Sequence, residues 1–91
     1  MNTLIEFETV WNRIRKHQDE TFVQIRGGEF KYKVVSGAFV PDRTQQQIPK
    51  SHFEEAFCLV PLANTVLIQH LRGPSYIYAV LMDSRIRATD W

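Results

Sequence analysis

Ninety-one residues with 44% hydrophobic, 12% aromatic and 23% charged side chains, at a formal net charge of +1, describe an ordinary globular chain. That balance excludes intrinsic disorder and argues against the frankly basic domain that nucleic-acid binders usually show. A chain this short holds one core, so residues 1–91 are expected to form a single domain, small enough that association into a homodimer is expected.

Thr3 and Glu6 in "TLIE" have capping-box spacing. Leu4, Phe7, Val10, Trp11 and Ile14 then recur on one helical face. Acidic Glu6 and Glu8 open the segment, while Arg13, Arg15 and Lys16 close it, both favourable against the helix dipole. A helix is predicted over 3–17.

The period then changes. In "FKYKV", Phe30, Tyr32 and Val34 face one way and Lys31 and Lys33 the other. "RGGE" and "SG" are turn signals, which gives strands near 21–26, 30–35 and 38–41 in a three-stranded antiparallel meander. Its apolar face is expected to lie under the first helix.

Ser51 and Glu54 in "SHFE" repeat the capping-box spacing and predict a helix over 52–59, ending before Pro61. "NTVLIQHLRG" offers Asn64 as a cap and Gly73 as a terminator for a second helix carrying Val66, Leu67, Ile68 and Leu71. Pro74 suits the first turn of a third, with Ile77, Val80 and Leu81 on its core face. "SRIRATDW" is expected to be a short strand or a tail pinned by Trp91. The fold class is therefore α+β: an N-terminal helix, a three-stranded meander, then a cluster of three short helices.

Chemistry leaves few marks. No phosphate-binding glycine loop, HExxH, paired cysteines or nucleophile elbow occurs, so no catalytic residue, metal ligand or cofactor is assigned and an enzyme is not expected. His17, His52 and His70 fall on three different predicted helices, with no spacing that implies a metal site. Cys58, in "EEAFCLV", matches the pattern of a core thiol more than a nucleophile, and as the one cysteine it allows no internal disulfide. Residues 52–72 have the length of a helix-turn-helix, but Val60 and Pro61 occupy the turn and the second helix carries one basic residue, Arg72.

Binding leaves more. Residues 21–52 carry five basic and two acidic groups, about +3, the most basic stretch of the chain. Arg26, Lys31, Lys33, Arg43 and Lys50 are the candidate phosphate-contacting residues. Gln45, Gln46 and Gln47 add an exposed, adaptable contact surface on the Arg43–Lys50 loop. Against a base-stacking sheet, strand alternation puts Phe30 and Tyr32 on the face opposite the lysines. A small anion at the helix N-terminus near Ser51 is the alternative, in competition with the Ser51–Glu54 caps. Arg72, Tyr76 and Tyr78 in "RGPSYIY" are the residue types common in protein interfaces.

Over nearly the whole chain, the combination of "VWNRIRKH", "FKYKV", "RTQQQIPKSHFEEAF" and "RGPSYIYAVLMDSRI" resembles short bacterial proteins carried by mobile elements, including integron gene cassettes. The resemblance implies bacterial origin, a cytoplasmic location and an adaptor, defence or stress role, and no activity. A cytoplasmic location also fits the absence of a signal-like or membrane-spanning apolar run. The sequence thus points to a non-catalytic binding module whose partner is a protein or a nucleic acid.

Overall fold

The computed structural model describes residues 5–91. Helix α1 (Phe7–Lys16) is followed by strands β1 (Phe22–Val23), β2 (Glu29–Phe30), β3 (Tyr32–Val35), β4 (Ala38–Pro41) and β5 (Ile48–Pro49). Helix α2 (Lys50–Phe57), a 3-10 turn (Val66–Ile68), α3 (Pro74–Leu81) and α4 (Ser84–Arg87) complete the order. This is the expected α+β arrangement, with one helix before the antiparallel strands and the remaining helices after them.

Helix α1 buries Phe7, Val10, Trp11 and Ile14, the face its spacing predicts. It begins later than predicted, with Glu6 in extended conformation at the N-cap and no side-chain cap bond. The proposed cap Thr3 and the apolar Leu4 lie outside the described residues.

The strands form two sheets rather than one meander. β1 pairs with β2, and β3–β4–β5 make a separate antiparallel sheet. The predicted strand 30–35 breaks at Lys31, whose N–H donates to Asp42 Oδ1 at 3.0 Å and whose carbonyl accepts from Asp42 N at 2.8 Å. By the β3–β4 register Lys31 faces Asp42, whose side chain thus takes the N–H that would have continued that ladder. Alternation survives the break: Phe30 and Tyr32 are buried, Val34 is half-buried, and Lys31 and Lys33 are exposed.

Sheet edges carry unpaired backbone groups that invite other strands, and here they are blocked locally. Gln18 Oε1 accepts from Val34 N at 3.0 Å, and Asp19 N donates to Tyr32 O at 2.9 Å, closing the outer edge of β3. Arg43 Nη1 donates to Glu29 O at 3.3 Å on β2.

The predicted Ser51 cap is corrected. β5 runs directly into α2, so Pro49, at φ −62°, is the N-cap, and the helix starts at Lys50 without a side-chain cap bond. Ser51 falls inside the first turn, and Lys50 N donates to Gly37 O at 3.0 Å. α2 buries Phe53, Ala56 and Phe57. Cys58, one residue past the helix end, is exposed and not the core thiol expected.

The helix expected between an Asn64 cap and Gly73 is reduced to the single 3-10 turn at Val66–Ile68. β-branched Thr65, Val66 and Ile68 are weak helix formers, and Asn64 Oδ1 accepts from Val66 N at 2.9 Å, which favours a turn. Ile68 and Leu71 are buried, while Val66 and Leu67 face solvent. With no second helix, the helix-turn-helix option is removed.

Gly73 separates this turn from α3. Its φ of +61° suits glycine, and an added Cβ would lie 2.6 Å from Ile48 Cδ1. Pro74 takes the first helical position as expected, and α3 buries Ile77, Ala79, Val80 and Leu81. The closing segment forms α4 instead of a strand because the Asp83 side chain accepts from Arg85 N and caps it. Trp91 pins the tail, donating from Nε1 to Leu81 O at 2.8 Å.

One aromatic chain runs through the core. Trp91, Phe57, Phe7, Trp11, Phe53, Phe39, Tyr32, Phe22, Phe30 and Tyr76 touch in that order, at centroid separations from 4.4 to 6.1 Å. Every aromatic residue except Tyr78 belongs to it, and it links all the helices but α4 to both sheets.

Tyr32 also fastens α1. Its hydroxyl donates at 2.6 Å to Ile14 O, one of the last-turn carbonyls with no partner within the helix, and burial pushes its phenol pKa well up. Tyr32→Phe keeps the ring and removes the donor, leaving a buried acceptor. It is expected to cost about 1–2 kcal/mol, read as a lower urea midpoint at unchanged slope.

Candidate functional site

Among the described residues, Arg26, Lys31, Lys33 and Lys50 divide among separate surface concavities, while Arg43, Gln45, Gln46 and Gln47 line none of these. The first, about 330 Å³, lies between the tip of the β1–β2 hairpin and the segment 65–75. The tip is a tight turn in which Gly27 N donates to Gln24 O and Gln24 N to Gly28 O, both at 2.8 Å. This places Ile25 and Arg26 at its apex. Gln24 Nε2 reaches across to Ser75 Oγ at 3.0 Å, so the hairpin is held against the start of α3. Thr65 and Gln69 line the other wall.

The second concavity, about 340 Å³, lies over the β3–β4 hairpin and contains Lys31 and Lys33 with Val35, Val40 and Pro41. Asp19 and Asp42 share it, and Lys33 Nζ is paired with Asp19 Oδ2 at 3.0 Å. Charge there is balanced.

The third, about 420 Å³, lies among the last turn of α1, the β3–β4 turn and the start of α2. Lys50 lines it beside Arg15 and Gln18. Lys50 Nζ is paired with Glu8 Oε2 at 2.7 Å and stands 5.8 Å from the Trp11 ring centroid.

The Arg43–Lys50 loop is tied into the fold at several points. Arg43 bonds Glu29 O, Thr44 Oγ1 accepts from Gln46 N at 3.2 Å, Arg72 Nη1 donates to Gln47 O at 3.1 Å, and Ile48 pairs with Phe39. Gln45, Gln46 and Gln47 are exposed. Arg26, Lys31, Lys33, Arg43 and Lys50 are therefore distributed around the molecule and do not line one track.

The expected interface residues are engaged within the chain. Arg72 N also donates to His52 Nδ1 at 3.1 Å. Tyr76 meets Phe30 edge-on at 4.9 Å, and Tyr78 is half-buried against the core.

The histidines stay apart in function. His17 Nδ1 lies 2.9 Å from Glu20 Oε2, and His70 Nε2 lies 2.5 Å from Glu55 Oε2. No group of three histidine, cysteine or acidic side chains able to hold a metal occurs among the described residues. No helix among them is long and apolar enough to cross a membrane.

The strongest electrostatic cluster is one that sequence reasoning missed. Arg85 donates to Asp83 Oδ1 and Oδ2 at 2.9 Å each, to Glu20 Oε1 at 3.1 Å and to Thr21 O at 2.8 Å, with its guanidinium 3.8 Å from the Phe22 ring centroid. The Asp83 hydrogen bonds raise the Arg85 pKa further. Burial works upward on Asp83 but is outweighed by Arg85, and Glu20 is held low by hydrogen bonds from His17 and Arg85. All three nitrogens of this guanidinium donate within the fold, so the cluster is a clamp between α4 and the α1–β1 connection.

Sequence reasoning also passed over Val66 and Leu67, which stood among apolar residues assigned to a helix, and Arg15, assigned only to the helix dipole. Their exposure is the new information. No family model, curated protein or solved structure matches this chain.

Proposed function

We propose that this protein is a non-catalytic binding module whose partner is a protein, engaged at the cleft between the β1–β2 hairpin tip and the 65–75 segment. The observation that carries the reading is apolar exposure. Val23 is 52% exposed, Ile25 47%, Val66 65% and Leu67 60%, on the hairpin and on the turn that form the two sides of this cleft. Four of the six large exposed apolar side chains among the described residues lie on these two elements, the others being Val35 and Leu59, and with Gln24, Arg26 and Gln69 at the cleft they fit a protein partner better than a phosphate backbone.

The nucleic-acid reading is weaker on charge. Arg26, Lys31, Lys33 and Lys50 are divided among separate concavities, Arg43 is bonded to Glu29 O, and Lys33 and Lys50 are each paired with a carboxylate. The bacterial, cytoplasmic setting and the adaptor, defence or stress role implied by the resemblance are carried into this proposal.

The test is a capture experiment with wild-type protein and an Ile25→Glu/Leu67→Glu variant. Wild type is expected to retain a partner that withstands nuclease and 0.3 M salt, roughly where phosphate contacts have weakened steeply, and the variant to lose it. Loss of the partner to nuclease, with retention by that variant and failure of Lys31→Ala/Lys33→Ala, overturns the reading.

A further inference from the structure

The third concavity has a chemistry unlike the other two. Its charged lining is cationic: Arg15 from the last turn of α1 and Lys50 from the first turn of α2. The Arg15 guanidinium has no ion-pair or hydrogen-bond partner among the described residues, while its carbonyl accepts from Gln18 N. Gln18 spends its oxygen on Val34 N at 3.0 Å, which leaves its Nε2 amide as the free end. Ser36 contributes a hydroxyl, and Ser36 and Gly37 sit at φ +50° and +76° at the centre of the two-residue β3–β4 turn. In a turn of this kind the two central N–H groups are not used by the ladder. Trp11 forms part of the wall, its ring under the Lys50 ammonium.

A cleft lined by such donors, with the Arg15 guanidinium unpaired and Lys50 shared with a single exposed carboxylate, is complementary to an oxyanion. The acidic groups within three residues of its lining are Glu8, which holds Lys50 at 2.7 Å, Asp19, which is occupied by Lys33 at 3.0 Å, and Glu20, which is held by His17 and Arg85. We propose that this cleft binds a phosphate-class oxyanion, with Arg15 and Lys50 supplying the charge and Gln18, Ser36 and the β3–β4 turn supplying further donors. The site is separate from the apolar cleft and does not rest on the protein-binding reading. Glu8 is its built-in competitor, since its carboxylate takes the Lys50 ammonium when the cleft is empty.

The chemistry is that of a phosphate group, either on a small molecule or in a nucleic-acid backbone, and titration separates the two sources. The probes are inorganic phosphate, adenosine monophosphate and a short mixed-sequence oligonucleotide, followed by the amide signals of Ser36 and Gly37 and the Trp11 indole N–H. Saturable shifts at those three positions are expected. Arg15→Gln, at an exposed position that leaves the helix intact, should weaken binding about tenfold or more. Glu8→Gln should tighten it about two- to fivefold, the equivalent of releasing one exposed ion pair. Lys31→Gln, outside the cleft, should change nothing. Tighter binding of the monophosphate assigns a small ligand, whereas tighter binding of the oligonucleotide with a steep salt slope assigns a backbone phosphate. Shifts that do not saturate, or that persist unchanged in Arg15→Gln while circular dichroism confirms its fold, overturn the proposal.

Discussion

Phe39→Ala is expected to remove about 3–5 kcal/mol, a large share of the roughly 5–14 kcal/mol that a chain of 91 residues possesses. Phe39 is fully buried at the point where the aromatic chain passes from the strands to the helices. It stacks on Tyr32 at 4.4 Å and 27° on one side and meets Phe53 at 4.9 Å on the other. Removing its ring separates the β3–β4 hairpin from α2 and leaves a cavity between two rigid elements that cannot close it. Phe39→Leu, which keeps most of the volume, should stay within about 1.5 kcal/mol. Urea unfolding followed by tryptophan fluorescence separates the two, because Trp11 lies 5.8 Å from Phe53 and reports the same part of the core. A cost for Phe39→Ala no larger than that of Phe39→Leu would mean that the hairpin and α2 are held together by something other than this ring.

The aromatic chain also shows how much of the molecule was legible in the sequence. The helix face Phe7, Val10, Trp11 and Ile14, and the alternation of Phe30 and Tyr32 with Lys31 and Lys33, follow from local periodicity and are realised. Pro74 at a helix start is equally local. What was not legible depends on contacts distant in the chain. The break at Lys31 is set by Asp42, eleven residues away, and no pattern within "FKYKV" reveals it. The start of α2 is set by β5 pairing with β4, which makes Pro49 the cap in place of Ser51.

The Arg43–Lys50 loop changes character for the same reason. Its two cations looked free for a ligand, yet Arg43 bonds Glu29 O and Lys50 pairs with Glu8, 42 residues away. Its distinct cationic contribution is at the far end, where Lys50 joins Arg15 in the oxyanion cleft. Arg15 was visible in sequence only as a favourable charge at a helix end, and its position four residues after Trp11 was the one local sign that both could share a wall. Apolar residues were misleading in the opposite sense. Val66 and Leu67 carry the composition of a core helix, but the turn they occupy can bury only Ile68 and then Leu71.

The Arg85 clamp supports the second large prediction, which concerns pH. Arg85→Met is expected to destabilise the protein by about 1–2 kcal/mol at pH 7, a figure discounted because the guanidinium is 32% exposed. The loss should itself depend on pH. Asp83 is pushed upward by burial and pulled down further by Arg85, and Glu20 is pulled down by His17 and Arg85, so both folded-state pKa values lie below their ordinary ones. A carboxylate with a depressed folded pKa contributes stability above its unfolded pKa, near 4, and loses it as pH falls through the folded value. The gap between wild type and Arg85→Met should therefore be full at pH 6–7 and narrow from about pH 4 downward, toward the part carried by Thr21 O and the Phe22 ring once both carboxylates are protonated. Asp83 has a second duty, since its Oδ1 also accepts from Arg85 N at 2.9 Å and caps α4. Asparagine caps a helix about as well as aspartate, so Asp83→Asn should lose the acid-sensitive part and keep the cap, whereas Asp83→Ala should lose both, at a further cost of about 1 kcal/mol. Urea titrations of the three variants at pH 7, 5 and 3 test this directly. If the wild type and Arg85→Met differ equally at pH 7 and pH 3, the clamp acts through packing on Phe22, 3.8 Å from the guanidinium, and not through its carboxylates.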